Sequence, residues 1–301
     1  MQRLGKPRIL IVGCGDIGLR LLPQLTPFYK VFALTSSESR APLLRQAGAI
    51  PVIGDLDRAD TLWRLPQLAS RVIHLAPPPA VGQIDTRTHN LLRILSQGGG
   101  FIRQLIYIST TGVYGDCGGA WIDETSMVDP QSLRAKRRVS AEAQIRAWGV
   151  QTGISTSILR VPGIYAQDRL PIERIRRGTP ALLESEDVYT NHIHADDLAR
   201  LIKLAIYRAK PQRVVNACDD SQLKMGDYFD AVAKVFRLPC PPRVSKQELE
   251  STLDPIMLSF MRESRRILNH RLRELGFGLQ YPTVTDYLGF TSRYLLSPRN
   301  D

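Results

Sequence analysis

The run Arg8-Ile-Leu-Ile-Val12 leads straight into Gly13-Cys-Gly15-Asp-Ile-Gly18 and then into Leu19, Leu21 and Leu22. An apolar, β-rich strand that ends in Gly-x-Gly-x-x-Gly and opens a helix admits few folds. It reads as a phosphate cradle for a dinucleotide: Gly13 allows the tight turn, Gly15 lets the backbone approach a pyrophosphate, and Gly18 lets helix and sheet pack closely. Asp16 and Ile17 complete the loop. The helix N-terminus behind it offers unsatisfied N–H groups and positive dipole to an anion. Pro23 is expected to kink or shorten that helix, because it has no N–H and crowds the preceding turn.

Strand-like and helix-like runs alternate through the first half, which predicts a parallel sheet covered by helices on both faces. Strands are expected at 30–35, 49–53, 71–76, 104–109 and 155–161. Helices are expected at 41–47, ended by Gly48, at 85–96, closed by Gly98-Gly-Gly100, and at 133–148. Beyond about Pro162 the order changes to loops and helices near 173–177, 195–208, 226–236 and 254–275. The fold class is therefore α/β, a Rossmann-type doubly wound parallel sheet with a smaller, mostly helical C-terminal lobe. The expected division is 1–165 for the dinucleotide-binding domain, with later elements able to return to the sheet, and 166–301 for a substrate lobe.

The chain's 301 residues, 43% of them hydrophobic, are enough for such a core. No stretch of eighteen apolar residues occurs, and the N-terminus runs directly into the first strand, so neither a membrane span nor a signal peptide is expected and a cytoplasmic location follows. Cys14, Cys117, Cys218 and Cys240 lack paired or metal-ligand spacing, which argues against disulfides and a metal site. The net charge of +11 suits an anionic small molecule. Nucleic acid is disfavoured, because aromatic residues are not interleaved with the basic clusters.

Five separated motifs resemble, in order, those of the extended short-chain dehydrogenase/reductase superfamily, the NAD-dependent epimerases and dehydratases. After the glycine loop, Gly54-Asp55-Leu56 is similar to the turn that contacts adenine, and His74-Leu75-Ala76 to the segment beneath the cofactor's ribose and phosphates. Ser109-Thr110-Thr111-Gly-Val-Tyr114-Gly115 resembles the end of strand five, where Thr110 matches the residue that polarises substrate. Arg160-Val-Pro162-Gly163-Ile-Tyr165 and His192-Ile-His194-Ala-Asp196-Asp197 resemble two later signatures. Residue by residue, Asp55 also reads as a turn cap, His74 as a satisfied core histidine, and Asp196 and Asp197 as helix-capping acids. The resemblance further implies a homodimer formed through helices beside the fifth strand.

The same resemblance exposes a departure. The superfamily moves protons with Tyr-x-x-x-Lys, and the matching positions here are Arg134 and Arg138. Spaced four apart, they share one helix face, and a guanidinium does not deprotonate near neutral pH. Arg134 is thus an anion clamp rather than an acid/base, and Arg138 a ribose or phosphate contact. Tyr114 and Tyr165 are the phenols nearest the reaction. Arg160, Arg169 and Arg174 are expected to join Arg134 in an anion-binding wall. Where NAD-preferring sites carry an acid after the second strand, this chain has Thr35, Ser36 and Ser37 followed by Arg40, which favours NADP over NAD, while Glu38 keeps NAD open. Two functions follow: an NAD(P)-dependent epimerase or reductase acting on a small anionic substrate such as a nucleotide sugar, or a non-catalytic NADP(H)-binding sensor.

Overall fold

The computed structural model describes residues 5–252, 258 and 261–295. Seven strands, β1 (Arg8–Val12), β2 (Lys30–Thr35), β3 (Ile50–Ile53), β4 (Arg71–His74), β5 (Gln104–Thr110), β6 (Ser155–Val161) and β7 (Arg213–Asn216), form one sheet. Its spatial order is β7-β6-β5-β4-β1-β2-β3, and every neighbouring pair is parallel. The order reverses between β1 and β4, and in such sheets the crevice outside the carboxyl ends of those strands is where ligands bind.

Side chains alternate along each strand, so each face of the sheet collects its own core. Ile9 and Ile11 face α1 (Asp16–Leu25) and α6 (Ala195–Arg208) through Leu21, Leu25, Leu198 and Leu201. Leu10 and Val12 face α3 (Thr86–Leu95) and α4 (Leu133–Thr152) through Leu91, Leu95, Ile145 and Trp148. Local caps fix these helices: the Asp85 side chain accepts from Thr88 N, Ser132 accepts from Ala135 N, and Gly153, at φ +70°, closes α4. Helix α2 (Ala41–Gln46) ends before Gly48, which has φ +83°.

Pro23 lies inside α1, and the helix stops two residues later at Leu25, so its effect is to shorten. Helix α4 runs to Thr152, four residues past the expected end, because Val150, Gln151 and Thr152 complete a turn before Gly153. Residues after 165 do return to the sheet: β7 pairs with β6, and α6 packs on α1. The remaining lobe is built from α5 (Ile172–Arg176), α7 (Met225–Val235) and the helix Val284–Leu295, packed around Tyr165, Phe229 and Tyr287. The helix expected over 254–275 is not continuous. Residues 253–257 and 259–260 lie outside the described residues; among the described ones Leu258, Met261 and His270–Glu274 are helical, whereas Arg266–Ile267 is a strand paired with Trp121–Ile122. Backbone pairing with residues 120 and 122 outweighs the helical pattern there. Among the described residues, no helix is long and apolar enough to cross a membrane.

Candidate active site

Two clefts meet at the carboxyl ends of β1, β4 and β5. The first, about 360 Å³, is lined by Gly13, Gly15, Thr35, Ser36, Arg40, Asp55, Leu56, Leu75 and Ala76, together with Cys14 and Arg87. Gly13 has φ +83°, and a Cβ there would lie 2.6 Å from the Ala76 backbone, so only glycine fits between β1 and β4. Gly15 differs. A Cβ on it would meet no atom within 4 Å, which leaves the start of α1 open to the cleft. Gly15 is the N-cap residue of α1 and no side chain caps it, so N–H donors and dipole remain available to a ligand. A Cβ on Gly18 would come within 2.7 Å of Cys14 Sγ; this glycine serves packing.

The rim of this cleft is cationic and hydroxylic. Arg40 Nη2 donates to the Cys14 carbonyl at 2.9 Å and so holds its guanidinium against the glycine loop. Thr35 Oγ1 accepts from Ser37 N and shapes the turn after β2. Asp55 lines the cleft, but its carboxylate also accepts from Asp57 N, the turn-capping role. Arg87 reaches in from α3 while held by both oxygens of Asp57, at 2.8 and 2.6 Å.

The second cleft, about 960 Å³, shares Leu75 with the first and lies between the sheet and the C-terminal lobe. Ile17, Thr110, Arg134, Arg138, Arg169 and Arg174 line it, so most of the residues expected at the reaction centre come together. Thr110 Oγ1 accepts from Gly112 N at 3.2 Å, which leaves its hydroxyl hydrogen to donate. Arg138 Nη1 donates to Tyr107 OH at 2.9 Å and to Ile108 O at 2.8 Å, fixing the end of β5. Burial, with Arg138 and Arg137 nearby, lowers the Arg134 guanidinium below its ordinary value, and Glu263 opposes that shift.

Three expected residues stand elsewhere. Tyr114 is buried, stacked under the Arg160 guanidinium at 4.7 Å, and donates to Asn216 Oδ1 at 2.7 Å; it packs beneath the cleft rather than lining it. Arg160 itself leaves the anion-binding wall, because both Glu142 oxygens hold it in a buried pair, at 3.1 and 2.7 Å. The Asp16 carboxylate turns to Arg20 and Arg169 and is not among the residues lining either cleft. Arg20 also ties Asp16 to Asp168 and Asp196, so this acidic set orders the start of α1. His74 sits in the core as expected but is only half satisfied: its Nε2 bonds Thr88 Oγ1 at 3.0 Å, its Nδ1 is buried without a hydrogen-bond partner, and burial pushes its pKa down to about 3.

Sequence reasoning did not find Met225, Tyr228, Phe229, Met261, Glu263 and Arg265, all of which line the second cleft. They come from the lobe after the sheet, where only tertiary packing brings distant apolar residues to one wall. Tyr165 and His192 also line it, both buried, with ring centroids 6.2 Å apart. Burial, and the charge of Asp219 after it, push the Tyr165 phenol far above its ordinary value.

A seven-stranded parallel sheet with an open glycine loop at its switch point defines a Rossmann-type dinucleotide-binding protein with an attached second cleft. Residues 9–218 match the NAD dependent epimerase/dehydratase family, and the chain belongs to that family. Among solved structures, a functionally unknown conserved protein from Silicibacter pomeroyi is 26% identical, with TM-score 0.82 over 97% of this chain and 100% of its own. UDP-glucose 4-epimerase from Thermotoga maritima, solved with UDP-glucose, has TM-score 0.76 at 19% identity over 96% and 98% of the two chains. DesIV, a dTDP-glucose 4,6-dehydratase from Streptomyces venezuelae solved with NAD and TYD, has TM-score 0.75 at 20% identity over 97% and 98%. At those identities the last two share the fold. No curated protein matches the chain in sequence.

Proposed function

We propose that this protein binds NADP(H) across the glycine loop and uses it to reduce or epimerise a small anionic substrate held in the second cleft. The observation that carries the reading is the open space at Gly15, continuous through Leu75 with a cleft that contains Thr110. Gly13, Gly15, Leu75 and Ala76 would hold the pyrophosphate and ribose, and Asp55 and Leu56 the adenine end. Arg40, Thr35 and Ser36 suit a 2′-phosphate, which is the basis for preferring NADP over NAD. A bound nicotinamide supplies hydride chemistry. Thr110 would donate a hydrogen bond to the reacting oxygen, while Arg134, Arg169 and Arg174 attract the substrate's charge. Nucleotide sugars are one such substrate class, suggested by the relatives' names.

Arg134 and Arg138, at the positions of the family's Tyr and Lys, favour a second reading, a sensor that binds the dinucleotide without turnover. The test incubates the protein with the reduced and oxidised forms of each cofactor and a panel of UDP- and dTDP-sugars, following absorbance of reduced nicotinamide for net reduction and the sugar products by NMR for redox-neutral epimerisation, alongside titration of each cofactor. NADPH-preferring binding with turnover is expected, and Arg40→Ala should weaken NADPH more than NADH. Tight NADPH binding without turnover on any substrate favours the sensor. Equal loss of both cofactors in Arg40→Ala contradicts the NADP preference.

A further inference from the structure

The second cleft combines apolar side chains, among them Val161, Ile164, Leu198, Met225, Phe229 and Met261, with hydroxyl, amide and charged groups. Its cations are not equivalent. Arg169 is paired with Asp16 at 3.0 Å, Arg265 with Glu263 at 2.7 Å, and Arg138 is committed to Tyr107 and Ile108. Arg174, on α5, is different: its guanidinium lies 4.5 Å from the centre of the Phe229 ring and donates from Nη2 to Pro180 O at 3.2 Å. Nη2 also lies 3.5 Å from Met261 S. Its Nε is buried without a hydrogen-bond partner. Burial lowers its pKa, and no carboxylate among the described residues offsets that shift.

A guanidinium set among a phenyl ring, a thioether and a carbonyl is short of a counter-ion, and its planar fork matches a carboxylate. The side chains set against Arg174, Phe229 and Met261, offer a sugar ring little to hydrogen-bond, whereas they would bury an aromatic or aliphatic body readily. We infer that the substrate is an amphipathic carboxylate, its acid group bound by Arg174 and its apolar body lying against Met225, Phe229 and Met261. This inference rests on the assignment of the second cleft as the substrate site and narrows the substrate away from nucleotide sugars.

Calorimetric titration of the full-length protein, first with NADPH and then, at saturating NADPH, with 3-phenylpropionate, its neutral amide and UDP-glucose, tests it. The acid should bind about tenfold or more tightly than the amide, the difference expected for a charge-assisted hydrogen bond, and more tightly than UDP-glucose. Arg174→Gln should abolish the difference between acid and amide while leaving NADPH affinity within about twofold. If that variant does not fold, the comparison of acid with amide on the unmodified protein still decides. Equal binding of acid and amide, no binding of either, or tighter binding of UDP-glucose overturns the inference. Failure to bind NADPH while the acid binds more tightly than the amide contradicts the dinucleotide reading and leaves the carboxylate site standing.

Discussion

Two glycines of the loop do different work, and substitution separates them. Gly13→Ala would place a methyl against the Ala76 backbone at a positive φ, so a loss of about 3 kcal/mol or more is expected in denaturant unfolding. Gly15→Ala, at φ −81° with open space beyond, should leave stability within about 0.5 kcal/mol. Comparable destabilisation of both variants would contradict the open-cradle geometry. The buried pair Arg160–Glu142 makes a second residue-level prediction. Glu142→Gln leaves a buried guanidinium without its charge partner, an expected cost of about 3–5 kcal/mol. The double variant Glu142→Leu/Arg160→Met should lose less than Glu142→Gln, as measured by thermal and chemical unfolding; a larger loss would contradict the desolvation argument.

At the scale of elements, how legible each one was follows from where its information lies. The glycine loop, the first six strands and the helix end at Gly48 are local patterns, and the sequence carries them in runs of a few residues; the stop at Gly153 is just as local, although the expected end fell at residue 148. Helix α4 is equally local, so Arg134 and Arg138 were expected on one face, and both line the second cleft. Tyr114 and Arg160 were misplaced because a motif gives position along a strand, while the partner that captures a side chain, here Asn216 or Glu142, lies on another element. The strand Arg266–Ile267 was read as helix for the same reason: its pairing partner is about 145 residues earlier in the chain. The apolar wall of Met225, Phe229 and Met261 left no signal at all, because such residues read equally well as core.

For the whole molecule, acid sensitivity is set by buried groups whose proton affinity changes on folding. Burial pushes His74 down to about 3 and His192 to about 4, against about 6.5 when unfolded. Between pH 4 and 6.5 the unfolded chain therefore binds more protons at these sites, which makes stability rise with pH. Asp219, raised by burial to about 7, acts in the opposite sense and cancels one of the two. A net rise on the order of 1 kcal/mol per pH unit is expected from these three groups in the middle of that window, flattening toward pH 6.5 as the unfolded histidines lose their protons. Urea unfolding at pH 4.5, 5.5 and 6.5 checks it, and a flat or falling profile would show that the histidines are not held neutral. Calorimetric titration of NADPH into the unmodified protein and into Gly15→Ala tests the open glycine cleft most directly. One molecule bound per chain, with affinity reduced about tenfold or more in the variant at unchanged melting temperature, is the predicted result. No binding to the unmodified protein, or equal binding to both, would contradict it.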